Sequence, residues 1–339
     1  MNEEIEVILR LGIGIGVMVI GLVLSLSLKG FDRKFAAWLQ ARVGPPLRQP
    51  FYDVFKLMQK ENLIPERAVG WAFNGAPIIA LAASLVLLLF VPLGPVDGIV
   101  KDYMPVLGGY GDLILIIYLF AIPGLMMAVG GFASGSPLAT IGAQREMVMM
   151  MSYEFPLAIV VLSLAYRISH FSGVENVFSM ETLVLNPGWD HVGVLGVVGM
   201  VLLGVVIFLI IPSELSKIPF DAPEAETEIG GGIIAEYSGV NLALFYIADA
   251  VKTVAFASLF VALFFPYNIS PAWDLTGGGA FAADLLFWVL KVELVYFLGV
   301  TVIRVGAARL KIDRLSWLYL VPLSGLALVG ALLMYLDTV

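Results

Sequence analysis

The sequence predicts an all-helical integral membrane protein with eight transmembrane helices and one amphipathic helix at the membrane interface. Three observations support this fold class. The mean hydropathy of the 339 residues is +0.96, and only 14% of them are charged, against roughly 25% in soluble domains. The apolar residues also form long continuous runs, whereas the strands of a membrane β-barrel alternate in polarity.

The apolar runs define the predicted spans. A helix needs about 20 apolar residues to cross the hydrocarbon core of a bilayer, and eight runs are long enough. We interpret them as one membrane domain over residues 1–339, with the first run kept as a span and not cleaved as a signal peptide. The predicted spans are residues 7–28, 74–93, 110–132, 147–166, 191–212, 239–265, 280–303 and 317–336.

The basic residues orient these spans, because connections rich in Lys and Arg stay in the cytoplasm. Residues 29–73, 133–146, 213–238 and 304–316 hold 14 of the 19 basic residues by our count. The distribution predicts a multi-pass plasma-membrane protein with both termini outside.

The first of these connections, 29–73, contains the predicted interfacial helix. From Pro50, apolar residues recur at positions 51, 54, 55, 57 and 58, a spacing typical of an amphipathic helix lying along the membrane surface. Two roles remain open for it: an anchor with snorkelling basic side chains, or a surface that docks a partner.

Composition also limits the chemistry of the chain. There is no cysteine, so the chain offers no thiolate for an iron–sulfur cluster and no disulfide. The two histidines, His170 and His191, both fall in a polar connection, which excludes a bis-histidine haem inside the membrane. Any redox chemistry is therefore expected in partner subunits.

Ionisable side chains within predicted spans are candidate functional residues, because charge at membrane depth is costly. Each could instead be a structural charge paired between helices. Glu154 has no basic residue within a turn, so we expect it to be held by another helix or to be partly protonated, and we favour a functional role. Asp249 and Lys252 should share one helix face. The remaining charges of this kind are Asp284, Lys291 and Glu293.

The densest group of carboxylates lies in the stretch PFDAPEAETEIGGG, residues 219–232. If the stretch is helical, Asp221, Glu224 and Glu228 share one face and Glu226 points elsewhere. A solvated loop would be the simplest explanation, but the surrounding isoleucines favour a buried or re-entrant position. The spacing lacks the alternating ligands of a calcium loop, so we expect no metal site.

Three longer motifs carry a family resemblance. They are QARVGPPLRQPFYDVFKLMQKE (residues 40–61), SELSKIPFDAPEAETE followed by AEYSG (213–239), and RVGAARLKID (304–313), with SYE (152–154) as a smaller match. Over nearly the whole chain the sequence resembles NADH dehydrogenase subunit 1, the H subunit of bacterial respiratory complex I. It also resembles the matching membrane subunits of energy-converting membrane-bound hydrogenases and related ferredoxin-linked complexes.

The resemblance implies a coupling subunit that binds no redox cofactor of its own. Iron–sulfur clusters, and a NiFe centre in the hydrogenase case, would belong to peripheral partner subunits. Antiporter-like membrane subunits and the lipid bilayer would be the other partners, and nucleic acid is not one. Interacting carboxylates titrate as a coupled set, and the resemblance assigns such an ion relay to Glu154, Glu214, Asp221, Glu224, Glu226, Glu228, Glu236 and Asp249. The residues expected to face the peripheral arm are Arg42, Asp53, Lys56, Lys217, Arg304, Arg309 and Asp313.

Departures from the family pattern bear on the electron acceptor. Between Gly44-Pro45 and Gln49-Pro50 only three residues remain, whereas quinone-reducing members carry several more. The sequence therefore favours a hydrogenase-type or ferredoxin-linked complex that couples electron transfer to proton or sodium translocation. The H subunit of a quinone-reducing complex I is the alternative within the family, and a stand-alone ion transporter is the alternative from another class.

Overall fold

The computed structural model describes residues 3–94, 106–107, 111–170, 176–190 and 192–338. In this part of the chain, eight helices are long and apolar enough to cross a membrane, which confirms the predicted fold class. They are α1 (Glu3–Leu39), α3 (Gly70–Phe90), α4 (Leu113–Ala133), α5 (Pro137–Ile168), α7 (Val194–Glu214), α9 (Gly239–Phe264), the continuous segment Gly278–Gly306 and the continuous segment Ile312–Thr338.

The last two spans each contain a π-helical segment. In the seventh span, α10 (Gly278–Tyr296) passes through a π-helical turn at Phe297–Val302 into α11 (Ile303–Gly306). In the eighth, α12 (Ile312–Leu318) passes through Tyr319–Leu323 into α13 (Ser324–Thr338). The shorter helices are α2 (Gln49–Met58), α6 (Met180–Leu185) and α8 (Glu226–Ile229).

The helix α9 forms the centre of the bundle. In its most apolar stretch of 18 residues, 94% of the residues are buried inside the bundle. Small side chains such as Ala250 and Ala255 are fully buried and let neighbouring helices approach closely. Phe256 meets Phe120 of α4 edge to face, with 4.9 Å between the ring centroids. The central helix therefore contributes side chains to any site inside the bundle.

Two spans extend roughly ten residues beyond a predicted boundary. The prediction ended the first span at residue 28, but α1 continues to Leu39. The prediction began the fourth span at residue 147, but α5 begins at Pro137. Hydropathy falls where charged residues begin, yet a helix continues if its charges find partners. Residues 29–39 and 137–146 are therefore helical, not parts of connections.

The interfacial helix is confirmed as a helix, α2. Its Pro50 and Val54 are buried against the bundle, whereas Tyr52, Phe55 and Met58 are exposed. The outward apolar side chains are compatible with both of the roles left open, contact with lipid headgroups or with a partner.

The stretch PFDAPEAETEIGGG does not form the single helix that would align Asp221, Glu224 and Glu228. It forms a 3₁₀ turn at Ala222–Glu224 and the short helix α8, separated by extended backbone at Ala225. The shared-face expectation is therefore wrong. The buried position expected for this stretch is confirmed for its first half, since Asp221 is buried.

The acidic segment, defined here as residues 215–238, is fixed to the bundle at several points. Arg145 of α5 pairs with Glu228 at 2.5 Å. Arg309 forms a bidentate hydrogen-bonded pair with Asp221. At the end of the segment, Tyr237 stacks on Phe73 of α3 with 4.1 Å between ring centroids. The acidic segment is therefore a folded cover over one end of the bundle.

Candidate functional site

A polar cavity of about 270 Å³ lies beneath the acidic segment. Residues of α1, α4, α5, α7, α9, α10, α11 and the acidic segment line it. Five of the charged lining residues are acidic and five are basic. They are Asp32, Glu146, Glu214, Glu224, Asp249, Lys29, Arg33, Lys217, Lys252 and Arg304.

Asp249 of α9 joins two cations from different parts of the chain. Its Oδ2 atom lies 2.6 Å from the ammonium of Lys29 and 2.8 Å from that of Lys217. Lys29 also donates to the carbonyl of Tyr246 and lies 4.1 Å from the centroid of its ring. Asp249 and Lys252 do share a side of α9 that borders the cavity, but they do not pair with each other.

Lys252 pairs instead with Glu214, the last residue of α7. The ammonium lies 2.7 Å from Oε1 of the carboxylate, and the two side chains are only 6% and 2% exposed. A pair this deeply buried is stable only while both charges are present, because removal of one leaves the other uncompensated.

Glu146 is one of the lining carboxylates that sequence reasoning missed. It is 2% exposed and accepts a long hydrogen bond of 3.5 Å from the hydroxyl of Ser216. A Cβ atom on Gly124 would lie 2.8 Å from its Oε1 atom, so the glycine makes room for the carboxyl group. Glu146 makes no ion pair within the described residues, in contrast to Glu214.

A local signal could have revealed the position of Glu146. Ser136 and Pro137 form the N-cap and first position of α5, the order typical of a helix start. A helix that begins there places Glu146 more than two turns inside α5. The predicted span missed this signal because it was drawn from apolar length alone.

Glu224 is half-buried in the 3₁₀ turn of the acidic segment. Burial raises the pKa of Glu224 to about 7, with the nearby Lys217 opposing the shift and Asp249 adding to it. Burial favours the neutral form of Lys217, but the charges of Asp249 and Glu224 prevail and raise its pKa. Glu224 therefore titrates near neutral pH beside a lysine that stays charged.

The α1 side of the cavity was also missed. Asp32 is buried and accepts hydrogen bonds from Thr301 at 2.6 Å and Arg304 at 3.0 Å. Arg33 pairs with Asp53 of α2 at 2.6 Å and donates to the hydroxyl of Tyr246. Both α1 residues had been placed in a connection because the predicted first span was too short.

Three of the eight predicted relay carboxylates line the cavity: Glu214, Glu224 and Asp249. The other five do not. Glu154 is half-buried on α5, and its electrostatic neighbours are Glu214 and Lys252. The others that lie outside the lining are Asp221 and Glu228, which are paired with Arg309 and Arg145, the exposed Glu226, and the half-buried Glu236.

The predicted docking residues divide into two groups. Arg42, Lys56 and Asp313 are exposed. The other four make ion pairs inside the chain, and the docking role of all seven stays a prediction. These pairs are Asp53 with Arg33, Lys217 with Asp249, Arg304 with Asp32 and Arg309 with Asp221.

Asp284 and Lys291 of α10 do not pair with each other. Asp284 accepts backbone hydrogen bonds from Ile269 and Ser270 at 2.9 and 2.7 Å. Lys291 donates to the carbonyls of Phe265 and Tyr267, both at 2.8 Å. These two charges hold the connection between α9 and α10. Glu293, on the same helix, is half-buried, and its carboxylate oxygens have no hydrogen-bond partner among the described residues.

In the described ranges, no group of three or more histidine and carboxylate side chains is arranged to hold a metal ion. His170 is exposed at the end of α5, and His191 lies outside the described residues. The cavity brings carboxylates together with ammonium and guanidinium groups, and closely spaced groups of opposite charge shift each other's protonation.

Residues 13–335 match the family described as NADH dehydrogenase. The chain belongs to the NADH dehydrogenase family. It is 32% identical over 327 residues to the H subunit of NADH-quinone oxidoreductase from Anaplasma phagocytophilum, covering 90% of both chains. It is 33% identical over 279 residues to Hydrogenase-4 component C of Escherichia coli K12, covering 82% of this chain and 81% of the relative.

A solved structure has the same fold. It is a chain of the membrane-bound sulfane sulfur reductase, an archaeal respiratory membrane complex, with a TM-score of 0.79 and 25% sequence identity. The superposition covers 97% of this chain and 99% of that chain. These similarities confirm the family resemblance carried by the sequence motifs, on both its complex I side and its hydrogenase side.

Proposed function

We propose that this chain is the membrane-embedded coupling subunit of an oxidoreductase complex that links electron transfer to ion translocation. Its relatives are subunits or components of complex I-like and hydrogenase-type membrane complexes. The observation that carries the proposal is the cavity beneath the acidic segment, where five carboxylates and five basic groups meet inside a membrane protein.

The relay would depend on the contrast between paired and unpaired carboxylates. Asp249 and Glu214 are each fixed by ion pairs, whereas Glu146 and Glu224 make none within the described residues. A carboxylate without a cationic partner accepts a proton more readily than a paired one. Glu146 and Glu224 are therefore the positions at which we place proton uptake.

Lys217 would transmit a charge change across the cavity. It interacts electrostatically with both Glu224 and Asp249, and it shares Asp249 with Lys29. Protonation of Glu224 removes one of the anions that attract Lys217, so Lys217 would bind Asp249 more strongly and compete with Lys29. A redox event above the acidic segment would in this way alter the charge balance in α1 and α9.

Glu154 is the proposed exit of the relay toward the membrane interior. It lies outside the cavity lining, but Glu214 and Lys252 are its electrostatic neighbours. A shift of Lys252, which also interacts with Glu146, would therefore change the electrostatic potential at Glu154. This assignment keeps the functional role that the sequence favours for Glu154.

The catalytic arm is proposed to dock over the acidic segment and α2. The basic connections support a cytoplasmic position for this face by the positive-inside rule, and we propose that both termini lie outside and that the membrane is the plasma membrane. Because the chain has no cysteine, iron–sulfur clusters and any NiFe centre would be held by the peripheral subunits. Antiporter-like membrane subunits would complete the ion pathway.

The electron acceptor is proposed to be bound by a partner of the hydrogenase-like or ferredoxin-linked type. The proposal is supported by the shortness of the connection around Gly44. This connection packs against α1, where a Cβ atom on Gly44 would lie 3.0 Å from Ala37 Cβ and 3.1 Å from Lys34 Cα. The quinone alternative is supported by the name of the complex I relatives.

Gentle purification through a tag on this chain tests these assignments. Co-purified iron–sulfur subunits support the coupling-subunit proposal, nickel supports the hydrogenase type, and stoichiometric bound quinone would overturn our preferred acceptor. The protein reconstituted alone in liposomes should carry no ion flux. Flux by the isolated chain would support the stand-alone transporter instead.

A further inference from the structure

Glu293 of α10 carries a buried carboxyl group that the proposed relay does not use. Both of its oxygen atoms are inaccessible to solvent, and neither has a hydrogen-bond partner among the described residues. Lys291, two positions earlier, donates instead to the carbonyls of Phe265 and Tyr267. A buried polar group that stabilises no contact is costly at membrane depth. The cost is smallest when the carboxyl group carries a proton, because burial disfavours the charged form.

Asp32 of α1 is a charged neighbour of Glu293. Leu28, Phe31 and Phe35 of α1 line a small surface groove together with Glu293. Asp32 lies one turn after Leu28, so it belongs to the part of α1 that meets the seventh span. Two neighbouring carboxylates disfavour simultaneous ionisation and titrate as a pair.

Asp32 is the member of this pair that holds the negative charge. It is 3% exposed and accepts a hydrogen bond of 2.6 Å from the hydroxyl of Thr301. The guanidinium of Arg304 lies 3.0 Å from each of its two oxygen atoms. Hydrogen bonds to the charged form of a carboxyl group favour that form. Glu293 has no such donor among the described residues, so the proton resides on Glu293 while Arg304 stays bound to Asp32.

We propose that Glu293 and Asp32 form a coupled carboxyl pair that holds one proton and serves as a further proton-binding site of the relay. Asp32 and Arg304 line the cavity beneath the acidic segment, and Glu293 does not. Withdrawal of Arg304 makes Asp32 the better base. The proton then passes from Glu293 to Asp32: one O–H bond breaks, another forms, and the net charge of the pair is unchanged. The place of the pair in the relay rests on the proposed function.

Tyr296 gives the proton a route between the two carboxyl groups. It lies one turn after Glu293, is 1% exposed and lines the cavity. It interacts electrostatically with both Asp32 and Glu293. A phenol hydroxyl group can donate and accept at the same time, so it can pass a proton between them. Further charged groups near this route are Arg33 and Lys217, which neighbour Asp32, and Asp249 and Arg304, which neighbour Tyr296.

Infrared spectroscopy of the intact purified complex tests whether Glu293 holds a proton. Solvated carboxyl groups are ionised at about pH 8, so carboxylic acid C=O absorbance at that pH reports buried acids. We expect Glu293→Gln, which keeps the shape of a neutral Glu293, to lower this absorbance relative to the unaltered complex. The exposed Glu226→Gln is the control and should leave it unchanged. Equal absorbance in Glu293→Gln and the unaltered complex would overturn the proposal.

The pH at which this absorbance disappears tests the coupling to Asp32. Asp32→Asn removes the anion that opposes ionisation of Glu293, so the absorbance should disappear at lower pH. Arg304→Gln keeps Asp32 and removes a cation, so the absorbance should persist to higher pH. We expect each shift to be about one pH unit or more, as for charges a few ångströms apart inside a protein. The absence of either shift in a folded variant would overturn the coupling, and Arg304→Gln decides if Asp32→Asn fails to fold.

The number of ions translocated per electron distinguishes failure of the pair from failure of the proposed function. We expect Glu293→Gln to lower this number, as Glu224→Gln should. An unchanged number in Glu293→Gln, with a lower one in Glu224→Gln, would overturn the role of the pair and leave the proposed function standing. An unchanged number in Glu293→Gln, Glu224→Gln and Glu146→Gln alike would overturn both.

Discussion

The buried pair of Glu214 and Lys252 gives a prediction whose size follows from its geometry. The charged groups are 2.7 Å apart, with side-chain exposures of 2% and 6%, so solvent cannot screen a charge left alone. Glu214→Gln should strand the ammonium of Lys252 and lower the free energy of unfolding by about 3–5 kcal/mol, the usual cost of breaking a buried pair. Lys252→Met should cost a similar amount.

The double variant Glu214→Gln/Lys252→Met should recover most of that loss. It removes both desolvated charges together, and such replacements are often close to neutral. Denaturant unfolding, monitored by the fluorescence of the six tryptophans, gives the free energy of unfolding of the unaltered protein, the two single variants and the double variant. Our description of this pair would be refuted if each single substitution lowered the free energy of unfolding by less than about 1 kcal/mol. It would also be refuted if the double variant lost as much as the two single variants added together.

Three further predictions concern the cavity and its cover. Glu224 has a pKa of about 7, raised by burial from 4.5, so the folded state keeps a proton that the unfolded state loses, and its stability falls as pH rises from about 4.5 through 7. Infrared titration should find carboxyl absorbance that titrates near pH 7; Glu224→Gln should reduce its amplitude, and Glu226→Gln should not. An unchanged amplitude in Glu224→Gln would refute the assignment. Gly124→Ala should reduce coupled ion transport, because the added Cβ displaces the Glu146 carboxyl group. Gly75→Ala is the control and should not reduce it, because a Cβ there meets nothing within 4 Å. Equal ion transport in both variants would contradict the contact between Gly124 and Glu146. Asp221→Asn should weaken the bidentate pair with Arg309 and increase hydrogen exchange in residues 222–229, and unchanged exchange would mean that this pair does not fix the acidic segment.

The sequence was sufficient to predict the eight spans because crossing a bilayer imposes a length and a hydropathy on each helix. It was not sufficient to predict where α1 and α5 end, since their charged turns are stabilised by partners distant in the chain. Lys29, for instance, is neutralised by Asp249 on α9. No local pattern contains that information.

The acidic segment shows the same limit within a connection. Spacing alone aligned Asp221 with Glu224 and Glu228 on a helix that does not form, because the backbone is extended at Ala225. In the folded chain these carboxylates have different neighbours: Asp221 pairs with Arg309 and Glu228 with Arg145. Spacing identified the right segment but could not separate Glu224, which lines the cavity, from Asp221 and Glu228, which fix the cover to the bundle.

The relay itself is tested most directly by the number of ions translocated per electron in the reconstituted complex. We predict that Glu224→Gln and Glu146→Gln each lower this ratio, while electron transfer and subunit composition stay unchanged. The exposed Glu226→Gln, two positions from Glu224, is the matched control and should leave the ratio unchanged. An unchanged ratio in both cavity variants would contradict the proposal that these carboxylates couple electron transfer to ion movement.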